Sequence, residues 1–170
     1  EFDKAEGIII KISKNGKFVQ SAKTGDEVEV ITNQTPFYGE SGGQVGDQGY
    51  IFSSESKIKI NDTQKKMGDL FVHYGKIEKG SISIGQNVNL EIDVLKRNNS
   101  KAYHSATHLL HESLRRTLGK HVTQKGSLVS PDRLRFDFSH NKPIDKKEMK
   151  KINNIVTVSY THLTLPTNRC

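Results

Sequence analysis

The chain has 170 residues, a formal net charge of +7 and a single cysteine, a length that suits one domain or two small ones. Leu, Ile, Val and Phe together number 44, which is enough to form a core. No apolar run reaches the roughly 18 residues of a membrane span, so an integral membrane protein is excluded. The lone Cys170 excludes a disulfide-bonded scaffold and a cysteine-rich zinc ribbon, and it favours a cytoplasmic protein without a disulfide partner.

Charge and glycine content divide the chain at about the same position. Residues 1–95 contain 11 Lys and Arg against 14 Asp and Glu, whereas residues 96–170 contain 15 against 5. Twelve of the 14 glycines precede residue 95. The basic second half indicates a polyanionic partner, with nucleic acid as the leading candidate and a merely solvated basic surface as the alternative.

The first half predicts short strands separated by turns. Asn15-Gly16, which is typical of a two-residue hairpin turn, lies between the predicted strands Ile8–Ile12 and Lys17–Gln20. In the next predicted strand, Glu27–Ile31, Val28 and Val30 share one face. Further strands are predicted at Tyr50–Phe52, Lys57–Ile60, Leu70–Tyr74 and Val88–Val94. This spacing predicts a small β-barrel over residues 1–95.

The second half has helical periodicity. A helix is predicted from about Asn98 to Leu118, where Gly119 is a natural stop. Gly126–Val129 and Leu134–Phe138 predict a strand pair, the second strand with one buried and one charged face. Asp145 and Glu148 have the spacing of a capping box before a lysine-rich helix that ends near Val156.

The last residues do not fit this pattern. Ser159–Pro166 has no helical face. We interpret residues 158–170 as a non-native or disordered tail and exclude them from the functional interpretation.

His104 and His108 form an HxxxH motif on the predicted helix. Residues four apart lie on the same face, one turn apart, so both imidazoles can reach one zinc ion. A catalytic zinc usually has three protein ligands, so the pair is half a site. His111 lies on the same side, but a site of three histidines from one helix is strained. The alternative for His104 and His108 is an ordinary pair of polar helix residues.

The segment Thr35–Gly49 contains five glycines within residues 39–49. Such a loop can direct several backbone N–H groups toward an anion or a ribose, although a long structural turn is the simpler interpretation. Within it, Gly42-Gly43-Gln44 repeats a tripeptide of peptide-release factors, which alone is weak support for a function.

Three stretches together resemble the editing domain of alanyl-tRNA synthetases and the free-standing AlaX-type deacylases. They are TPFYGESGGQVGDQG at Thr35–Gly49, HSATHLLHESLRRTL at His104–Leu118 and HVTQKGSLVSPDRLRFDFSH at His121–His140. The resemblance implies an α+β fold: a β-barrel at residues 1–95, then residues 96–157 as the start of an editing domain shared with threonyl-tRNA synthetase, with a helix packed on an antiparallel sheet. The implied activity is hydrolysis of the ester between Ser or Gly and tRNA(Ala).

The resemblance also assigns roles to individual residues. His104 and His108 match zinc ligands, while Thr107 and Gln124 match residues of the catalytic pocket. Contacts to substrate or tRNA are implied for a third set of residues: Gly42, Gly43, Gln44, Asp47, Arg97 and Lys125. Arg115 and Arg116 are further candidates for contacts to tRNA phosphates.

The chain also departs from the family pattern. The remaining zinc ligands of the family lie in a downstream Cys-x-x-x-His motif that has no counterpart here. The aminoacylation domain, with its ATP and Mg²⁺, is absent. Because the chain starts without Met at the barrel, we expect an internal fragment of a synthetase that is truncated at its C-terminus, and weakly active or inactive alone.

Two other functions stay open at this point. In the first, the chain is a tRNA-binding module without catalysis. In the second, it is an unrelated metalloprotein that uses His104, His108 and His111.

Overall fold

A computed structural model describes the backbone of residues 2–164 and the side chains of residues 2–159. The chain forms two compact units, Glu1–Asn98 and Asn99–Cys170. The first unit contains nine strands among its described residues: β1 Lys4–Lys14, β2 Lys17–Val19, β3 Ser21–Lys23, β4 Glu27–Thr32, β5 Gly49–Phe52, β6 Lys57–Lys66, β7 Leu70–Lys79, β8 Ser81–Ser83 and β9 Asn87–Ile92.

Six of these strands close into an antiparallel barrel in the order β1-β4-β7-β6-β5-β9. Strand β1 closes it because its first half, Lys4–Ile8, pairs with β9 while Ile9–Ser13 pairs with β4. The predicted β-barrel is therefore confirmed. Strand β2 is added beside β1, and β3 pairs with β8 in a separate two-stranded sheet.

The turn between β1 and β2 follows its sequence signal. Asn15 and Gly16 have φ of 52° and 74°, as a type I′ turn requires, and Lys14 faces Lys17 across it. The three-residue strands β3 and β8 were not predicted, because two or three alternations are too few to establish a period.

The barrel interior is filled mainly by β-branched side chains, which suit a pleated surface. Val28 and Val30 are buried on one face of β4, as predicted. The core consists mainly of isoleucines and valines: Ile9, Ile12, Val28, Val30, Ile51, Ile58, Ile60, Ile77, Ile82, Val88, Leu90 and Ile92.

The second unit consists of two helices and a hairpin. Helix α1, Val94–Leu118, starts in the first unit and is followed by β10 Gln124–Val129, β11 Leu134–Phe138 and α2 Lys146–Thr164. Strands β10 and β11 are antiparallel. Leu114 of α1, Val122 and Ile152 of α2 form a buried cluster against which Phe136 and Phe138 pack. The predicted helix packed on an antiparallel sheet is thus confirmed, and the fold class is α+β.

Two helix ends have the capping and stop residues that the sequence predicts. The Asp145 carboxylate accepts hydrogen bonds from the amides of Lys147 and Glu148, and Glu148 accepts one from the Asp145 amide, so the predicted capping box is confirmed. Gly119 has φ of 120° directly after α1, as expected of a helix stop.

Two predicted helix boundaries were wrong. Helix α1 begins at Val94, not near Asn98, because Asp93 caps it by accepting a hydrogen bond from the Lys96 amide at 3.0 Å. Helix α2 continues to Thr164 rather than ending near Val156, since no proline or glycine interrupts it before Pro166. Of the proposed tail, residues 165–170 lie outside the described residues.

Neither described helix combines the length and the apolar character needed to cross a bilayer.

A substitution at Gly46 tests how tightly the glycine-rich loop is packed on the barrel. A Cβ atom there would lie 1.9 Å from the Thr63 carbonyl oxygen, whereas one at Gly85 meets nothing within 4 Å. We expect Gly46→Ala to lower the free energy of unfolding by about 3 kcal/mol or more. Gly85→Ala should cost only about 1 kcal/mol of backbone strain, since Gly85 has a φ of 85°. Urea unfolding of both variants measures this, and equal losses would contradict it.

Candidate functional site

The two histidines of the HxxxH motif lie side by side on α1. Their Nε2 atoms are 3.1 Å apart, and the ring centroids are 4.9 Å apart with the planes tilted by 55°. His108 is exposed and His104 is half-buried. The Nδ1 atom of His104 is buried and has no hydrogen-bond partner among the described residues. The α-helical spacing thus brings two imidazole nitrogens within hydrogen-bond distance of each other, one as donor and the other as acceptor.

Thr107 lies between these histidines in the sequence but is buried. Its Oγ1 atom donates a hydrogen bond to the Tyr103 carbonyl oxygen at 2.9 Å, so the hydroxyl proton is used within the helix. The oxygen lone pairs are free to accept a hydrogen bond.

His111 packs against Phe136, with ring centroids 5.2 Å apart. Its Nε2 atom is buried and has no partner among the described residues. No group of three or more His, Cys, Asp or Glu side chains within residues 2–159 is arranged to hold a metal ion. His111 therefore does not complete a metal site with His104 and His108 in the described part of the chain.

Gln124 and Lys125 begin β10, and both are exposed. The Gln124 amide donates to the Ser127 hydroxyl at 3.1 Å. Arg115 and Arg116 are exposed in the last turn of α1, where Arg116 pairs with Glu112 at 2.8 Å. All four residues are accessible to a partner; the predicted catalytic role of Gln124 and the predicted tRNA contacts of Lys125, Arg115 and Arg116 stay predictions.

A second histidine pair was missed by the sequence reasoning. His121 Nε2 and His140 Nδ1 are 2.9 Å apart, and the rings are within 20° of parallel. The strand register alone does not predict this contact: extended outward from the Gln124–Phe138 pair, it places His140 opposite Val122 and His121 one position further out. Thr123 and Ser139, whose hydroxyls are 2.7 Å apart, lie between them and the hairpin.

The glycine-rich loop, Thr35–Gly49, folds back on itself. Its tip is a tight turn in which the Ser41 and Gln44 backbones exchange hydrogen bonds. Gly42 and Gly43 occupy the turn with φ of 58° and 84°, which residues other than glycine rarely adopt. Gly42 is exposed, whereas Gln44 is buried. Of the three predicted contact residues at the tip, the glycines are the more accessible to a ligand.

Asp47 and Arg97, both predicted to contact substrate or tRNA, are instead paired with each other. Arg97 Nε donates to Asp47 Oδ2 at 2.9 Å, and Nη2 donates to the same oxygen. Only 5% of Arg97 and 6% of Asp47 is exposed. Both groups are engaged inside the first unit, so neither presents a free charge to a phosphate in this structure.

Comparison with known proteins bears on this loop and the barrel that carries it. The family model described as "tRNA synthetases class II (A)" matches residues 1–96, more than half of the chain. The chain belongs to this class II tRNA synthetase family. The match includes the whole barrel and the glycine-rich loop but ends before the histidines of α1.

Individual relatives extend the similarity. An alanine–tRNA ligase of Chelativorans sp. (strain BNC1) is 56% identical over 155 residues, which is 91% of this chain and 18% of the relative. The alanine–tRNA ligase of Mesorhizobium japonicum is 54% identical with the same coverage, and that of Rhodopseudomonas palustris is 52% identical over 151 residues. Segments of this length include residues of both units, although the chain spans less than a fifth of these relatives' length.

In this synthetase-family chain the first residue of the glycine-rich loop, Thr35, is hydrogen-bonded to a buried histidine of the barrel, His73. His73 Nδ1 donates to the Val30 carbonyl oxygen at 2.9 Å, and its Nε2 accepts from the Thr35 hydroxyl at 2.8 Å. These partners fix the neutral tautomer, because a carbonyl oxygen can only accept. Burial lowers the pKa of His73 to about 4, against the smaller opposing effect of the Val30 hydrogen bond.

His73 therefore makes the barrel sensitive to acid. Between pH 6.5 and about 4 the unfolded chain binds a proton at this residue that the folded chain does not, so stability falls as pH falls through this window. The full loss is about 3 kcal/mol. His73→Gln keeps a donor and an acceptor but does not titrate, and its unfolding free energy should fall less between pH 7 and pH 5 than that of the wild type. Equal losses, or an NMR titration with a His73 pKa near 6.5, would contradict this.

Proposed function

We propose that this chain is the editing region of an alanine–tRNA ligase and hydrolyses Ser- or Gly-tRNA(Ala) with the help of zinc. The full-length cytoplasmic protein would attach alanine to tRNA with ATP. Support comes from the names of the relatives, the family match and the three motifs that resemble editing domains. The need is chemical: a pocket for alanine discriminates poorly against glycine or one added hydroxyl, so a second hydrolytic step raises fidelity.

The observation that carries the proposal is the separation of His104 Nε2 and His108 Nε2. Two nitrogens that each lie about 2.05 Å from a tetrahedral zinc ion are about 3.3 Å apart. The 3.1 Å separation in this chain is close to that value. The two imidazoles therefore fit two neighbouring zinc positions with little adjustment, and we propose that the other ligands come from outside the described residues or from solvent.

When bound, zinc would polarise the ester carbonyl and lower the pKa of a water molecule. Thr107 would recognise the wrong amino acid. Because its proton is held by Tyr103, its oxygen is an acceptor, and a seryl hydroxyl is a matching donor. Gln124, which is exposed and has one amide hydrogen bonded to Ser127, would orient the substrate with its remaining donor and acceptor.

The basic second half would hold the tRNA. Residues 96–170 carry an excess of ten positive charges, and contacts between such residues and phosphates release counterions. Lys125, Arg115 and Arg116 are exposed and are the described residues that we propose for this role.

One observation favours a second function, a tRNA-binding module without catalysis. The described side chains provide no group of three or more candidate metal ligands, and His104 and His108 are two. In that case lysine and arginine substitutions weaken tRNA binding and reduce its salt dependence, whereas chelators have no effect.

Hydrolysis of Ser-tRNA(Ala), measured with added zinc and with a chelator, decides between these functions. We expect His104→Ala and His108→Ala each to reduce chelator-sensitive hydrolysis by about 100-fold or more, since each removes a metal ligand. The assay is made on this chain and on the full-length ligase, where aminoacylation should be unchanged. His121→Ala is the matched control, because it breaks an imidazole pair elsewhere in the second unit.

Either of two results would contradict the deacylase proposal. One is unchanged hydrolysis in the His104 and His108 variants of the full-length ligase. The other is hydrolysis that persists in the presence of a chelator. Zinc binding without hydrolysis, together with salt-dependent tRNA binding, would support the binding module.

Thr107 provides a separate test of amino-acid recognition. Thr107→Val keeps the shape of the side chain but removes the acceptor. We expect it to slow hydrolysis of Ser-tRNA(Ala) by about 10-fold and to change hydrolysis of Gly-tRNA(Ala) much less, because glycine has no hydroxyl. Single-turnover rates on both substrates measure the ratio. An equal loss on both would show that Thr107 does not read the hydroxyl.

A further inference from the structure

We infer that Arg97 is a positioning residue that ties both ends of the glycine-rich loop to the first turns of α1 and fixes the loop in its binding conformation. The inference rests on the proposed function, in which this loop contacts tRNA. It replaces the expectation that Arg97 itself binds a phosphate.

The contacts of Arg97 reach both halves of the loop. One edge of the guanidinium donates to Asp47, near the end of the loop. The Nη2 atom also donates to the Pro36 carbonyl oxygen at 2.5 Å, near the beginning. A single side chain therefore holds together two points that are eleven residues apart in the sequence.

Asp47 extends this connection into the loop. Its Oδ2 atom also accepts a hydrogen bond from the Tyr38 amide at 2.7 Å, and its own amide donates to the Tyr38 carbonyl oxygen at 2.9 Å. On the barrel side, the Asp47 carbonyl oxygen accepts from the Thr63 hydroxyl at 3.0 Å. Asp47 thus contacts the helix and the loop through its carboxylate and the barrel wall through its backbone carbonyl.

An arginine is required here for geometric reasons. The planar guanidinium donates in two directions at once, to a carboxylate and to a carbonyl oxygen, which one lysine ammonium on a flexible stem does not reproduce. Because both charges are almost fully buried, leaving either one unpaired is costly, and the pair stays closed.

The start of α1 has its own attachments, independent of Arg97. The Asp93 amide donates to the Gln48 carbonyl oxygen at 2.7 Å, and Lys96 Nζ donates to Gln48 Oε1 at 2.5 Å. A change at Arg97 should therefore release the loop around Pro36, Tyr38 and Asp47 while the helix stays attached at Gln48.

The loop conformation shapes a surface that a ligand can use. Pro36 and Tyr38 line a hollow of about 370 Å³ together with Phe71 and Arg97, and the tip at Gly42 is exposed. If the loop must be ordered at the moment of binding, that entropic cost appears in the affinity. Loss of the Arg97 contacts should therefore raise KM and leave kcat nearly unchanged.

Two variants test this inference. Arg97→Lys keeps the charge but loses the two-directional contact. The double variant Arg97→Met with Asp47→Leu replaces the buried ion pair by apolar side chains, which is often neutral for stability, yet leaves the Tyr38 amide and the Pro36 carbonyl oxygen without these partners. This double variant is therefore expected to change the position of the loop without a large change in the stability of the protein.

We expect both variants to speed hydrogen exchange of the Tyr38 amide by about 10- to 100-fold, with amides of β6 and β7 unchanged. Affinity for a tRNA(Ala) transcript should fall about 10-fold. In the full-length ligase, KM for Ser-tRNA(Ala) should rise similarly with kcat within about twofold. The double variant should melt within about 4 °C of the wild type. Arg116→Lys is the control for exchange and melting, because Arg116 makes an exposed pair with Glu112 on the same helix.

Three results would overturn the inference: unchanged Tyr38 exchange in Arg97→Lys, wild-type tRNA affinity in the double variant, or a fall in kcat without a change in KM. The exchange measurement needs no activity. If the wild-type full-length ligase hydrolyses no Ser-tRNA(Ala), the deacylase proposal fails while the effect of Arg97 on the loop and on tRNA affinity is still measured.

Discussion

The closure of the barrel by β1 is the constraint on which the first unit depends. One eleven-residue strand pairs with β9 along its first half and with β4 along its second. A closed barrel leaves no free edge among its six strands, and its interior is lined mainly by isoleucine and valine side chains. A polar group buried inside or against this wall is costly without a hydrogen-bond partner, so the polar groups there need partners nearby.

At both ends of the glycine-rich loop, the buried polar groups have such partners. His73 Nε2 accepts a hydrogen bond from the Thr35 hydroxyl inside the barrel, while Asp47 is paired with Arg97. Gly46 lies so close to Thr63 that no side chain fits between them. The glycines of this segment therefore serve two purposes: close approach to the wall at Gly46, and a tight turn at Gly42 and Gly43. Rigidity and an exposed tip follow from the same packing.

Local patterns predicted most of the fold. The Asn15-Gly16 turn, the alternation of Val28 and Val30, and the Asp145 capping box each depend on residues a few positions apart, so the sequence alone carries their signal. The Arg97–Asp47 pair joins residues fifty positions apart, and nothing local distinguishes a buried arginine from one that binds phosphate. The proximity of two candidate site residues was predictable only where chemistry and local spacing coincide, as for His104 and His108 on one helix face.

The two histidine pairs differ in a way that bears on metal binding. His121 and His140 have closer nitrogens but more distant ring centres than His104 and His108. The first pair is therefore aligned nearly end to end, with one nitrogen donating directly to the other, as a strong N–H···N bond requires. The rings of His104 and His108 meet at 55°, so the hydrogen bond between their Nε2 atoms is longer and less well aligned. Exchanging a well-aligned hydrogen bond between two imidazoles for a metal ion costs more than exchanging a bent one. For this reason the α1 pair is the better candidate for zinc, although both pairs bring two nitrogens to nearly the same distance.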